Sequence, residues 1–266
     1  MPFALLQLIA NPLTDEFDST RYLKAGGEVF AFLIACSWIL TIVYNPSTIE
    51  DNPLKRRIGY NNFCVGFDTA PAKYFAFFLW PLSTYFNIRF AWLEVVTEYS
   101  LDEAHTSDTG KRLTVAASAF FILSVLLQTF ILVFPPDEGN GVWIHTSFFV
   151  QYIVIRLLVV ATQFYKNRFD LSSEDEDSIT FRQWTWFYLY ALVSLLFPLG
   201  VFSDFAYYDF YRPEGSTEIL IPWYILCVVD YAWFLALATT AKFLPAHHNY
   251  RVKSVAKAQM KVVVTE

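Results

Sequence analysis

The chain of 266 residues is 55% hydrophobic, 19% aromatic and only 17% charged, with a mean hydropathy of +0.36. A soluble domain usually carries about 25% charged residues, so this polypeptide cannot cover its own surface with polar groups, and its apolar content equally excludes intrinsic disorder. The net charge of -6 gives no electrostatic reason to expect nucleic acid.

Six stretches approach or exceed the roughly 20 mostly apolar residues needed to cross a bilayer core. They are Glu28–Tyr44, Tyr74–Val96, Leu113–Phe134, Val142–Tyr165, Trp184–Phe202 and Ile219–Leu244. Barrel strands alternate over about 10 residues, whereas runs such as Ala116–Phe134 are apolar on every side. The expected fold is therefore all-α, a polytopic integral membrane bundle of six transmembrane helices. Residues 1–27 are expected to form an interfacial segment, 28–244 the bundle and 245–266 a basic C-terminal tail. Pro81 and Pro198 are expected to kink the second and fifth helices, since proline removes an amide donor and crowds the preceding turn.

The loops carry the topology. Lys and Arg gather on the N-terminal tail (Arg21, Lys24), the second loop (Lys111, Arg112), the fourth loop (Lys166, Arg168, Arg182) and the C-terminal tail. The opposite side has Lys55, Arg56, Arg57 and Lys73 in the first loop and Arg212 in the fifth. The positive-inside rule then puts both termini on the same side, in the cytosol or its topological equivalent, with the first loop as the exception. The N-terminus lacks a basic region before its short apolar run and is not read as a signal peptide. The mitochondrial inner membrane and the endoplasmic reticulum are the membranes that fit first. Arg251, Lys253, Lys257 and Lys261 in the tail are candidates for anionic lipid headgroups.

Ionisable groups inside a span are costly and normally face the bundle interior. Arg89, Glu94, Arg156 and Asp230 are such groups and form the expected intramembrane polar cluster, with Arg156 paired to Glu94 or Asp230. At about 100° per residue, His145, Tyr152, Arg156 and Gln163 share one face of the fourth helix, and Ser83, Asn87, Glu94 and Glu98 share one face of the second. Buried polar groups of this kind often only join helices. A transport path would show more than one charge layer, or helices broken by Gly and Pro, and Arg156 is the residue it would use. Cys36, Cys64 and Cys227 have no metal spacing, no nucleotide cradle can be read, and neither a metal nor a cofactor is implied.

Trp80–Pro81–Leu82–Ser83–Thr84 in the second span and Asn140–Gly141–Val142–Trp143–Ile144–His145–Thr146 at the head of the fourth are the most distinctive motifs. Together with Tyr165–Lys166–Asn167–Arg168 and the tyrosine-rich fifth loop, they resemble the androgen-induced, rolling-stone-like family of six-span membrane hydrolases. That resemblance implies Thr84 as nucleophile and His145 as base, cleaving fatty-acid ester lipids. The residues themselves favour another reading, a non-catalytic subunit that organises lipid within a larger membrane assembly, such as a respiratory, ATP synthase or photosynthetic complex. Its partners would be membrane lipids and other transmembrane subunits. Transport of a small solute or proton is the third reading.

Overall fold

The computed structural model describes residues 19–100, 107–136, 140–169 and 179–245, and no strand occurs among them. Six long helices dominate: α1 (Ser19–Tyr44), α2 (Ala72–Ser100), α3 (Asp108–Gln128), α4 (Asn140–Phe169), α5 (Phe181–Ala206) and α6 (Trp223–Phe243). A 3-10 turn, Thr129–Leu132, prolongs α3, and a π turn, Tyr207–Tyr211, prolongs α5. Of these six, all but α2 are long and apolar enough to cross a membrane. Buried Ser83, Asn87, Glu94 and Glu98 make α2 more polar, but its exposed side is aromatic, with Tyr74, Phe77, Phe78, Tyr85 and Trp92.

Helix boundaries follow local chemistry. Ser107 caps α3 by accepting from the Gly110 amide, and Thr180 with Gln183 forms a capping box at the start of α5. Pro222 precedes α6, which starts later than the expected Ile219. α1 starts earlier than expected, so Arg21 and Lys24 lie on the helix rather than on an interfacial tail. Pro81 and Pro198 both sit inside continuous helices.

Successive helices run antiparallel. Phe30 meets Trp80 across α1 and α2, Phe121 meets Tyr152 across α3 and α4, and Phe149 meets Phe197 across α4 and α5. Near the other end Phe164 packs on Phe187, and Trp186 of α5 stacks on Phe243 of α6. These aromatic pairs contribute orientation as well as area. The interior is filled by Trp80, Phe90, Phe121, Phe164, Phe197 and Trp233, all nearly inaccessible.

The first connection is not a simple loop. After the short helices Pro46–Glu50 and Pro53–Ile58 it turns inward, and Phe63, Cys64, Val65 and Phe67 are buried in the end of the bundle. Trp38 and Thr41 of α1 hold it by donating to the Phe63 carbonyl at 3.2 Å and the Gly66 carbonyl at 2.7 Å. Its basic residues are internally engaged. Lys55 Nζ donates to the Ile49 and Glu50 carbonyls, Arg56 pairs with Asp51 at 2.7 Å, and buried Arg57 pairs with Asp209 at 3.0 Å.

Candidate functional site

α2 and α4 are not neighbours in sequence, yet they meet along their polar faces and run parallel. Two contacts share one register: Arg156 Nη1 donates to Asn87 Oδ1 at 3.3 Å, and Gln163 Nε2 donates to Glu94 Oε2 at 2.5 Å. Each step is seven residues on both helices, two turns, so both contacts recur on the same face. Lys166 extends the ladder by pairing with Glu98 and lying 3.8 Å from Glu94, while Ser19 of α1 donates to Glu94. Glu94, Glu98, Gln163 and Lys166 are all buried.

Arg156 is 1% exposed and stands at one end of the ladder, midway along α4. Its second contact is with the Tyr152 hydroxyl one turn away, at 2.9 Å, and Tyr190 of α5 lies beside it. No carboxylate lies within ion-pair distance of it among the described residues, and its Nε has no hydrogen-bond partner. Asn87 is held by its own donation to the Ser83 carbonyl at 2.9 Å. Ser83 in turn donates to the Gly26 carbonyl at 3.0 Å, and a Cβ at Gly26 would come within 3.0 Å of Asn87. A glycine at 26 is what lets α1 close on this part of α2.

The expected cluster of Arg89, Glu94, Arg156 and Asp230 therefore does not form. Glu94 sits a heptad, about 10 Å, beyond Arg156 along the helix axis, where Gln163 and Lys166 reach it first. Asp230 of α6 is at the other end of the bundle, accepting from Asn62 at 3.0 Å and Tyr60 at 3.2 Å in the inserted first connection. Arg89 points off the polar face, half-buried, without an ion pair among the described residues, and its Nε has no partner. Burial and the neighbouring Asp230 push the Tyr60 hydroxyl up, so it stays a donor to that carboxylate.

His145 is fully buried at the start of α4. Its Nδ1 lies 2.7 Å from the Phe134 carbonyl and its Nε2 lies 3.7 Å from Asp68 Oδ1 in the inserted connection. A carbonyl can only accept, so Nδ1 carries the hydrogen and Nε2 presents its lone pair to Asp68. Burial raises the Asp68 carboxyl to about 8, against the opposing pull of Lys73, and at 3.7 Å the two side chains adjoin without a direct hydrogen bond. Asp68 itself was not singled out in the sequence, because nothing local marks it.

Thr84 does not join His145. No hydrogen bond links them, and Thr84 instead lines a pocket of about 470 Å³ between α2 and the end of α3 that His145 does not reach. His145 Nδ1 is committed to the Phe134 carbonyl, and Nε2, which has no hydrogen-bond partner, lies 3.7 Å from Asp68 Oδ1. The tail residues Arg251, Lys253, Lys257 and Lys261 lie outside the described residues, as does the loop bearing His105. Where the first and fifth connections meet, Arg57, Trp143 and Asp209 form a further latch, with the Trp143 indole donating to Asp209 at 2.7 Å and Arg57 over the Tyr208 ring. Comparison with known families, with characterised proteins and with solved structures finds no match to this chain.

Proposed function

We propose that this chain is a six-span, non-catalytic membrane subunit, with both termini on one side, whose buried charges lock helix register. α2 serves as the sixth span in this reading, with an aromatic flank toward lipid and its polar face inward. Its function is to offer a rigid, aromatic-clad surface to lipid and to partner helices in a larger assembly.

The observation that carries the reading is how the buried polar groups are separated. Glu94, Glu98, Gln163 and Lys166 form one group, Arg156 with Asn87 and Tyr152 a second, and Asp68 with His145 a third. His145 and Arg156 are about 16 Å apart along α4. Phe149, Val150 and Ile153 fill that interval, and Val159 and Val160 fill the next one, all buried. Charge layers exist, as a transport path requires, but packed apolar side chains separate them and a cation occupies the middle. The outer surface carries the contrasting feature, exposed Phe78, Tyr74, Phe181, Tyr188, Leu199 and Leu235 around the bundle. Apolar surface of this extent is covered by lipid or by other helices.

Extraction from its native membrane in mild detergent, followed by native-mass measurement and identification of co-purifying chains, tests the proposal. A subunit migrates far above a detergent-bound monomer with fixed partners. A monomer that turns over lipid esters, dependent on Thr84 and His145, would replace this reading with the hydrolase.

A further inference from the structure

Arg89 is a mid-helix cation that the bundle does not answer. It lies two residues, about 3 Å, beyond Asn87 on α2, and Asn87 meets Arg156 midway along α4. Ionisable groups within a span almost always face the bundle interior. Arg89 instead stands half-buried on the outer side of α2. Its Nε is sealed without a partner, while Nη1 and Nη2, which also make no hydrogen bond among the described residues, keep accessible surface. A headgroup is remote from it. About 16 Å separates Arg89 from Ser100, the nearer end of α2, and helical side chains lean toward the N-terminus, away from that end.

The surface around Arg89 has the form of a helix seam. Phe78, Leu82, Tyr85, Arg89 and Trp92 follow one another at alternating steps of four and three residues, the spacing with which one helix meets another. At 100° per residue the five fall within about 80° of arc, with Arg89 near its centre. Phe78, Tyr85 and Trp92 are 81%, 55% and 56% exposed, so the bundle itself leaves this stripe uncovered.

We infer that this stripe of α2 docks a transmembrane helix of a partner chain that carries a carboxylate, Asp or Glu, at mid-depth, paired with Arg89. The inference deepens the subunit reading and rests on its placing of α2 as a span. Lipid tails would cover the rings but bring no anion to this depth. A second copy docked by the same face would set Arg89 against Arg89, and Glu94, Glu98 and Asp230, the carboxylates of this chain's own spans, are buried.

The test uses the full chain in phosphatidylcholine nanodiscs with a synthetic transmembrane peptide of Leu and Ala that carries one Asp at its centre and photo-leucine beside it. Crosslinks are expected on α2 between Phe78 and Trp92. Peptides with Leu or Lys in place of the Asp should stay at background. Arg89→Leu removes a charge that no described residue pairs, so the chain should stay folded and monodisperse. It should reduce crosslinking about tenfold, the scale of a polar contact between helices in a bilayer, and Arg89→Lys should retain most of it. Equal crosslinking by the Leu peptide, or undiminished crosslinking of Arg89→Leu, would overturn the inference. Native partners held in full by Arg89→Leu would also overturn it while leaving the subunit reading standing. Lipid-ester turnover by a chain that still takes the Asp peptide at Arg89 would sink the non-catalytic reading alone.

Discussion

Glu94 of α2 accepts from Gln163 of α4 at 2.5 Å, and seven residues back on each helix Asn87 accepts from Arg156 in the same register. Two helices that are distant in sequence are thus keyed to one another by polar contacts at a two-turn spacing. Sliding one helix against the other by a single turn would break both contacts at once.

Removing the cation from this ladder should be expensive. Lys166→Met leaves Glu94 and Glu98 buried without it, and breaking a buried pair this way typically costs about 3–5 kcal/mol. Arg89→Leu, in contrast, replaces a half-buried cation with no ion pair among the described residues and should be neutral or stabilising. Thermal unfolding of both variants in the same detergent checks the contrast.

Arg156 and Asp230 share no partner. Arg156 contacts Asn87 and Tyr152, while Asp230 contacts Tyr60 and Asn62. The destabilisation caused by Arg156→Leu and by Asp230→Leu should therefore add to within about 0.5 kcal/mol in the double variant. A large coupling energy would mean that the two side chains meet.

Gly66 lies against the Trp38 ring, where an added Cβ would stand 2.5 Å from a ring carbon. The indole is rigid and itself bonded to the Phe63 carbonyl, so it cannot turn aside cheaply. Gly66→Ala should cost about 1–3 kcal/mol and expose the inserted segment around Phe63–Phe67. Limited proteolysis of the first connection would report this as faster cleavage.

Asp68 gives the fold a pH dependence of definite sign. Its carboxyl is raised to about 8 in the folded protein from an ordinary value near 3.8. Between those values the folded state binds the extra proton, so stability falls as pH rises from about 4 to about 8. Asp68→Asn, which cannot ionise, should flatten the unfolding profile across that window. An unchanged slope would place the Asp68 proton elsewhere.

Much of this was legible in the sequence, and the shortfalls have physical causes. Hydrophobic length located the six long helices, and helical angles correctly sorted Ser83, Asn87, Glu94 and Glu98 from Arg89, and His145, Tyr152, Arg156 and Gln163 onto one face. Partner choice was not legible, because it depends on axial register between α2 and α4, and opposite charge alone pointed Arg156 to carboxylates where its contacts are the neutral Asn87 and Tyr152. Lys166, assigned to a loop, is in fact buried within α4. The inserted first connection was missed as well. Its apolar run, Phe63–Phe67, is too short to signal burial, and its basic residues suggested an open loop. Asp68 gained its place opposite His145 only through that insertion.

In the proposed reading the buried charges hold the bundle together and do not conduct. Proton flux into proteoliposomes containing the purified chain, under an imposed pH gradient and with potential clamped by valinomycin, tests it most directly. The wild-type protein and Arg156→Leu should both match protein-free vesicles. Flux above that background in the wild type, changed by Arg156→Leu, would contradict the account.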